Sequence, residues 1–244
     1  MTRVYHIVQF RDRSAYMIFY GCSWRCAYCI WSFEKWNLCL PRETKEKLSE
    51  LWDKKTIKFL TIDEIVNILK ANDVKLVFMG GGEPTEDPEI KSLVSHLKAE
   101  GIESWIITNT EGLDDELFGM IKGATVSVKA FDDDLHKKIT GFSNVDLLEK
   151  IKHFGAAEKM TIETVYVKGL VECDEIIKIA RFLKLVNSQA RFRIDPVVGK
   201  LHNDSDYDEI KECLKKSNDI IYTSMIRPSG KVPQGPKLLY PVIL

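Results

Sequence analysis

The sequence has no long apolar segment and no excess of charge of either sign. No apolar run reaches the about 18 residues of a membrane-spanning helix, so we expect no transmembrane segment and no membrane partner. Lysine and arginine total 35, aspartate and glutamate total 36, and the net charge is -1. Because a generic nucleic-acid binder needs a positive surface, that class of function is not expected.

Internal repeats, low-complexity linkers and the common nucleotide-binding glycine motifs are also missing. Neither G-x-G-x-x-G nor a P-loop occurs in the chain. A chain of 244 residues, 45% of them hydrophobic, can bury a sizeable core without disulfides, and we expect one domain over residues 1–244. The first residues, MTRVYHIVQFRDRSAY, carry charge where a secretory signal is apolar, so we expect a cytoplasmic protein with reduced cysteines.

Strand-like apolar segments alternate with helical segments along most of the chain. Strands are predicted at 15–20, 74–79, 103–109, 125–131, 160–167, 190–195 and 220–226. Helices are predicted within 41–60, after Thr61, and at 88–100, 114–123, 132–140, 145–154, 174–185 and 206–216. This alternation predicts an α/β fold with a parallel sheet, either open or closed into a barrel. The Pro/Gly-rich and apolar C-terminal end is expected to form an arm.

Three of the six cysteines fall within eight residues, in the segment GCSWRCAYC. Cys22, Cys26 and Cys29 have the spacing C-x3-C-x2-C, which indicates a metal centre in a reducing compartment. A structural zinc site needs four ligands, whereas three thiolates on a four-iron cluster leave one iron open to bind another molecule. A degenerate zinc site or plain buried cysteines are the alternatives. The isolated cysteines are expected to be ordinary small residues: Cys39, Cys173 and Cys213.

A second motif, Gly80-Gly81-Gly82-Glu83-Pro84, directly follows a predicted strand. Glycines without side chains let a ligand approach the backbone closely. Glu83 adds an acceptor that suits a cationic group such as an ammonium. Taken alone, this motif is equally consistent with a tight turn between a strand and a helix.

Together the two motifs resemble the radical S-adenosylmethionine enzymes. The cysteine loop of that family, with an aromatic residue before its last cysteine, matches Cys22, Cys26, Tyr28 and Cys29, and its G-G-E-P motif matches residues 81–84. The length and the segment 125–144 are similar to the activating enzymes of glycyl radical enzymes. The likeness covers a core of about residues 15–199, with a charged insert at 37–60 and a variable extension at 200–244. It implies an incomplete (β/α)6 barrel with a C-terminal arm.

The resemblance also implies the cofactors and the chemistry. The three cysteines would hold a [4Fe-4S] cluster that cleaves S-adenosylmethionine to a 5′-deoxyadenosyl radical, which takes hydrogen from a substrate. The residues implied to bind the cofactor are Tyr28, Gly80, Gly81, Gly82, Glu83, Thr108, Ser127 and Lys129. An electron donor such as flavodoxin or ferredoxin, and a glycyl radical enzyme as protein substrate, would be the partners.

Two charged residues depart from the activating-enzyme pattern. Glu163 stands where that family has a basic residue, and Asp195 lies in a segment that lacks the family's histidine. Both are predicted near the carboxyl ends of late strands, where catalytic groups of α/β barrels gather, so they are candidates for the substrate side. A structural ion pair with Lys129 or Arg193 is the alternative. The departures keep open a second substrate class, a small molecule or a nucleoside in RNA.

Overall fold

A computed structural model describes residues 1–155, 158–198, 206–225 and 235–243 of the chain. The chain divides into two compact units. Unit 1 comprises Met1–Ser23, Phe33–Gly123 and Lys231–Leu244, and unit 2 comprises Trp24–Ser32 and Ala124–Gly230. The predicted end of the core at residue 199 and most of the Pro/Gly-rich segment lie outside the described residues. One domain over the whole chain stays a prediction.

The described strands are β1 Val4–Gln9, β2 Ser14–Phe19, β3 Leu76–Gly81, β4 Glu103–Thr108, β5 Gly123–Ser127, β6 Met160–Tyr166, β7 Arg191–Pro196, β8 Thr223–Met225 and β9 Lys237–Tyr240. The described helices are α1 Arg42–Asp53, α2 Ile62–Ala71, α3 Ile90–Ala99, α4 Asp115–Met120, α5 Asp133–Thr140, α6 Val145–His153, α7 Cys173–Val186 and α8 Asp206–Asn218. In the described part of the chain, none of the helices has the length and apolar character that crossing a membrane requires.

Unit 1 is built on a mixed sheet. Strands β2, β3 and β4 pair in parallel, while β1 pairs antiparallel with both β2 and β9. Helix α2 begins where predicted, because Thr61 and Glu64 form a reciprocal capping box. Strands β1 and β9 were not predicted, and residues 237–240, expected in a C-terminal arm, instead complete this sheet. Strand β9 depends on its pairing with the remote strand β1, which nearby sequence does not reveal, whereas β1 also pairs with its neighbour β2.

Unit 2 is built on four strands, β5 to β8, of which β5–β6, β6–β7 and β7–β8 pair in parallel. Apolar residues such as Ile162 and Phe192 are buried on one face. The alternate residues Glu163 and Arg193 lie on the other face and are direct neighbours across β6 and β7. Strand β5 ends at Ser127, four residues earlier than predicted, and Asp132 then caps α5.

The predicted functional residues lie at or just beyond the carboxyl ends of these strands. In unit 1, Cys22 follows β2, Glu83 follows β3, and Thr108 ends β4. In unit 2, Ser127 ends β5, and Asp195 lies one residue before the end of β7. Parallel α/β folds place their reactive groups at these ends, because the connecting loops there leave space for a ligand.

Candidate active site

The first cysteine of the loop belongs to unit 1. Cys22 is exposed, and its Sγ accepts a hydrogen bond from Asn109 Nδ2 at 3.8 Å. The next residue, Ser23, is tied to Glu86 through its hydroxyl, which donates to Oε1 at 2.5 Å, and through its backbone N–H at 3.0 Å. The residue that carries the first thiol is therefore held between the ends of β2 and β4.

The other two cysteines belong to unit 2. Their loop is held to the end of α5, because the backbone N–H groups of residues 25 and 27 donate to the carbonyls of residues 140 and 139, each at 2.9 Å. Cys29 N donates to Cys26 O at 3.1 Å, which turns the chain between the two thiols. Burial raises the pKa of the Cys26 thiol, and nearby Lys129 opposes that rise. A bound metal would remove the proton, since thiolates are the ligating form.

The donor set fits an iron–sulfur cluster. All three thiols are at least partly exposed, unlike the fully buried thiol of Cys213. Among the described residues, no three His, Cys, Asp or Glu side chains are grouped as they would be around one metal ion. In a cubane cluster each thiolate binds a different iron, so three thiolates match three of its four irons. Three thiolates would hold three irons and leave the fourth for S-adenosylmethionine.

The glycine motif packs against the base of the cysteine loop within unit 1. Gly82 N donates to Phe19 O, and Glu83 N donates to Gly21 O, both at 2.8 Å. Gly81 has a φ of 99°, in the left-handed region that favours glycine. A Cβ on Gly82 would lie 2.0 Å from the carbonyl oxygen of Gly21, so a side chain cannot fit without moving the backbone. Gly82 is therefore required because the glycine motif and the start of the cysteine loop approach too closely for a side chain.

Glu83 is buried and is held by four hydrogen bonds. Its Oε1 accepts from Thr85 N at 3.0 Å, from Thr85 Oγ1 at 2.7 Å and from Thr108 Oγ1 at 2.6 Å, and its Oε2 accepts from Asn109 N at 2.6 Å. Burial raises the pKa of the Glu83 carboxyl, although these bonds oppose the rise. No salt bridge to Glu83 occurs in the described part of the chain. A buried carboxylate without a cation suits a ligand that brings one.

Tyr28 and Lys129 lie together in unit 2. Tyr28 is buried, and its hydroxyl donates to the backbone carbonyl of Lys129 at 3.4 Å. The Lys129 ammonium lies 6.0 Å from the centre of the Tyr28 ring, at the outer limit of a cation–π contact. Two of the three residues predicted to bind the cofactor from this unit are thus neighbours, although they are about a hundred positions apart in sequence.

The remaining predicted residues of unit 2 form one polar network. Ser127 Oγ donates to Glu163 Oε1 at 2.5 Å, and Arg193 donates to Glu163 Oε2. Arg193 Nε also lies 3.0 Å from Oδ1 of Asp195. The structural alternative considered for Glu163 and Asp195 is therefore present, with Arg193 as the partner. Arg193 also supplies a positive charge beside Glu163, which stands at a position where the activating enzymes carry a basic residue.

A cavity of about 660 Å³ in unit 2 adjoins this network. Its lining includes Thr161, Arg191 and Arg193 from the sheet, with Ser224 and Tyr222 at β8. Arg193 therefore contacts the cavity on one side and the two carboxylates on the other. Glu158 and residues 187–189, which precede β6 and β7, also line it, so the cavity lies toward the amino ends of these strands and not at their carboxyl ends. Arg193 is part of this lining, whereas Glu163 and Asp195 are not.

The Asp195 carboxyl gives a pH-dependent contribution to stability. Burial, with the Glu163 charge adding to it, raises the pKa of Asp195 to about 6 despite the Arg193 guanidinium. Because the folded chain then holds this proton more tightly than the unfolded chain, the contribution of Asp195 to the free energy of unfolding should fall by about 1–3 kcal/mol as the pH rises from about 4 to about 6. We expect Asp195→Asn to remove this contribution, measured by urea unfolding of the metal-free chain over that pH range. Equal pH dependence in wild type and Asp195→Asn would refute the assignment.

The sequence of the chain matches the model of the Radical SAM superfamily over residues 16–183. The matched range contains the cysteine loop, the glycine motif and the ends of β4 and β5, and it stops before β7 with Arg193 and Asp195. This chain belongs to the radical SAM superfamily. The enzymes of this superfamily use a [4Fe-4S] cluster and S-adenosylmethionine.

Activating enzymes are among the individual relatives of this chain, together with a GTP 3′,8-cyclase of Mycobacterium tuberculosis that is 28% identical over 70% of this chain and 47% of its own length. A Methanocaldococcus jannaschii protein named as a glycyl-radical enzyme activating enzyme is 30% identical over 177 residues, which cover 68% of this chain and 61% of the relative. A pyruvate formate-lyase-activating enzyme of Staphylococcus epidermidis is 26% identical, over 72% of this chain and 71% of its own length. The chain thus spans less than two thirds of the first of these relatives.

Solved structures confirm the fold class. Streptococcus suis SuiB, in its complex with the precursor peptide SuiA, superposes with a TM-score of 0.62 at 17% identity, over 86% of this chain and 47% of SuiB. The α/β radical SAM fold predicted from the two motifs, with its parallel strands of a partial barrel, is therefore confirmed. The roles of individual site residues stay predictions.

Two residues that contact Glu83 were not predicted from the sequence, and a third site residue, Arg193, was predicted only as a possible ion-pair partner. Thr85 and Asn109 donate to Glu83, and Arg193 joins Glu163 to Asp195. Asn109 directly follows the predicted residue Thr108, so its position as a polar residue at the end of a strand could have identified it as a site residue. Arg193 had been named only as a possible ion-pair partner, since its place beside Glu163 depends on the register of β6 and β7.

Proposed function

We propose that this radical SAM enzyme is an activating enzyme that abstracts a hydrogen atom from a glycine residue of a protein partner. The two activating enzymes named above as sequence relatives support this proposal. When bound, the [4Fe-4S] cluster supplies the electron that cleaves S-adenosylmethionine to methionine and a 5′-deoxyadenosyl radical. A flavodoxin- or ferredoxin-type protein would deliver that electron.

The residues of unit 1 bind and orient S-adenosylmethionine in this proposal. Glu83 receives its ammonium, which provides the cation that the buried carboxylate lacks. Thr85, Thr108 and the backbone of Asn109 hold the carboxylate in place before the ligand arrives. The close contact of Gly82 with Gly21 sets the distance between this acceptor and Cys22. The buried Glu83 carboxylate, which forms no salt bridge in the described part of the chain, carries this part of the proposal.

In unit 2 the proposal assigns Lys129 to the cofactor and two carboxylates to the substrate. Lys129, next to the Tyr28 ring, suits the carboxylate of the methionyl group. Glu163 and Asp195, both paired with Arg193, are assigned to the substrate side. Because Arg193 fixes both carboxylates, they would position a substrate by hydrogen bonds and charge.

The experiment follows deuterium from the substrate into 5′-deoxyadenosine. A glycyl radical enzyme from the same genome is prepared with deuterated glycine and mixed anaerobically with the reconstituted chain, a reductant and S-adenosylmethionine. We expect one deuterium in 5′-deoxyadenosine and a glycyl radical signal in the partner by electron paramagnetic resonance. The Cys26→Ala chain is the matched control and should give neither.

Other results would assign a different substrate. Cleavage of S-adenosylmethionine without transfer of deuterium from any glycyl radical enzyme of that genome would contradict the activating function. Transfer instead from deuterated RNA or from a small molecule would establish the second substrate class.

Replacing Glu163 with glutamine should slow hydrogen transfer from the substrate more than it slows uncoupled cleavage of S-adenosylmethionine. Equal loss of both activities would assign Glu163 to the cofactor side.

A further inference from the structure

Asn109 connects the acceptor of the glycine motif to a cysteine of the metal loop. Its backbone N–H donates to Glu83 Oε2 at 2.6 Å, and its side-chain amide donates to Cys22 Sγ at 3.8 Å. The side chain is buried, and all three residues belong to unit 1. Sulfur accepts hydrogen bonds at longer distances than oxygen does, because its radius is larger. One residue at the end of β4 thus contacts both functional motifs.

The orientation of the Asn109 amide follows from its other contacts. Its Oδ1 accepts a hydrogen bond from the backbone N–H of Glu111 at 3.0 Å. The NH2 group, which can only donate, must therefore be the group that points at Cys22. The backbone bond to Glu83 anchors the same residue from the opposite direction. The amide is therefore held with a donor toward the sulfur before any metal binds.

We infer that Asn109 is a positioning residue that donates a hydrogen bond to the cluster-bound thiolate of Cys22 and raises the reduction potential of the cluster. Reduction adds negative charge that the thiolate sulfur shares, so a donor at that sulfur stabilises the reduced state more than the oxidised state. The inference rests on cluster binding by the superfamily and is independent of which substrate the enzyme uses.

The measurement is a redox titration of the reconstituted cluster without S-adenosylmethionine. Asn109→Ala should lower the ratio of reduced to oxidised cluster at a fixed potential by about threefold to tenfold, where tenfold corresponds to about 59 mV for one electron. Asn109→Asp keeps the acceptor for Glu111 but presents an oxygen to the sulfur, and should lower the ratio further. In protein labelled with 15N-asparagine, pulsed electron paramagnetic resonance of the reduced cluster should detect a coupled nitrogen that both variants lack.

Asn144 provides a matched control in unit 2. It is also a buried asparagine, and its amide donates to two backbone carbonyls, Ala130 O at 3.0 Å and Phe131 O at 2.7 Å. Asn144→Ala should lower stability as Asn109→Ala does, yet keep the wild-type potential.

Two results would overturn the inference. A wild-type potential in Asn109→Ala with full iron content would show that the amide does not act on the cluster. Loss of the cluster from both variants with retained circular dichroism would place Asn109 in cluster assembly instead. If the wild-type chain itself bound no cluster, the failure would lie with the cofactor assignment and not with Asn109.

Discussion

Cys26→Ala is expected to abolish reductive cleavage of S-adenosylmethionine, and Cys22→Ala and Cys29→Ala should do the same. In the superfamily each of these thiolates holds a different iron, and loss of one leaves the cubane with too few ligands to persist. Wild-type protein reconstituted under anaerobic conditions should contain about four irons and four sulfides per chain. Iron analysis, visible absorption and formation of 5′-deoxyadenosine measure the effect.

The remaining cysteines provide the controls. Cys39→Ala and Cys173→Ala alter partly exposed thiols outside the loop, and both should retain the cluster and the activity. Cys213→Ala empties a small volume in the core and should lower stability with the same iron content. Loss of the cluster in Cys39→Ala would mean that a fourth cysteine is a ligand, and the open iron position would then not exist.

Gly82→Ala should reduce cleavage of S-adenosylmethionine by at least about 100-fold. The added methyl would meet the Gly21 carbonyl oxygen at 2.0 Å, so the two backbones must separate. Separation breaks the hydrogen bond from Glu83 N to Gly21 O and displaces Glu83 relative to Cys22. A shift of about 1 Å in a reacting geometry is enough to cost about 100-fold in rate. Rate measurements alongside iron content distinguish this effect from loss of the cluster.

Gly119→Ala is the matched control for this substitution. Gly119 lies in α4, and a Cβ there meets no atom within 4 Å. Because alanine also favours a helix over glycine, Gly119→Ala should keep full activity and gain a few tenths of a kcal/mol to about 1 kcal/mol in stability. Activity near the wild-type level in Gly82→Ala would show that the contact with Gly21 does not set the geometry of the site.

Features encoded in adjacent residues were predictable from the sequence. The capping box of Thr61 and Glu64 fixed the start of α2, since both hydrogen bonds lie within one helical turn. The apolar spacing in residues 90–97 similarly predicted α3, whose buried face is formed by these residues. Strand β9 escaped prediction because its partner β1 lies more than 200 positions away, as in the pairing of Ile7 with Tyr240. Strand β1 also pairs with β2, which follows it directly along the chain, so a remote partner does not explain why β1 was not predicted.

The sequence alone determined the superfamily, the cofactors and the fold class, because the three cysteines and the G-G-E-P motif are short and their chemistry depends on spacing along the chain. Only the tertiary structure decided which groups surround them. Asn109 reaches Cys22 because β4 ends there, and Arg193 reaches Glu163 because parallel pairing places them side by side. Hydrogen bonds and ion pairs act over a few ångströms, and strand register, which no local pattern encodes, determines which distant residues come that close.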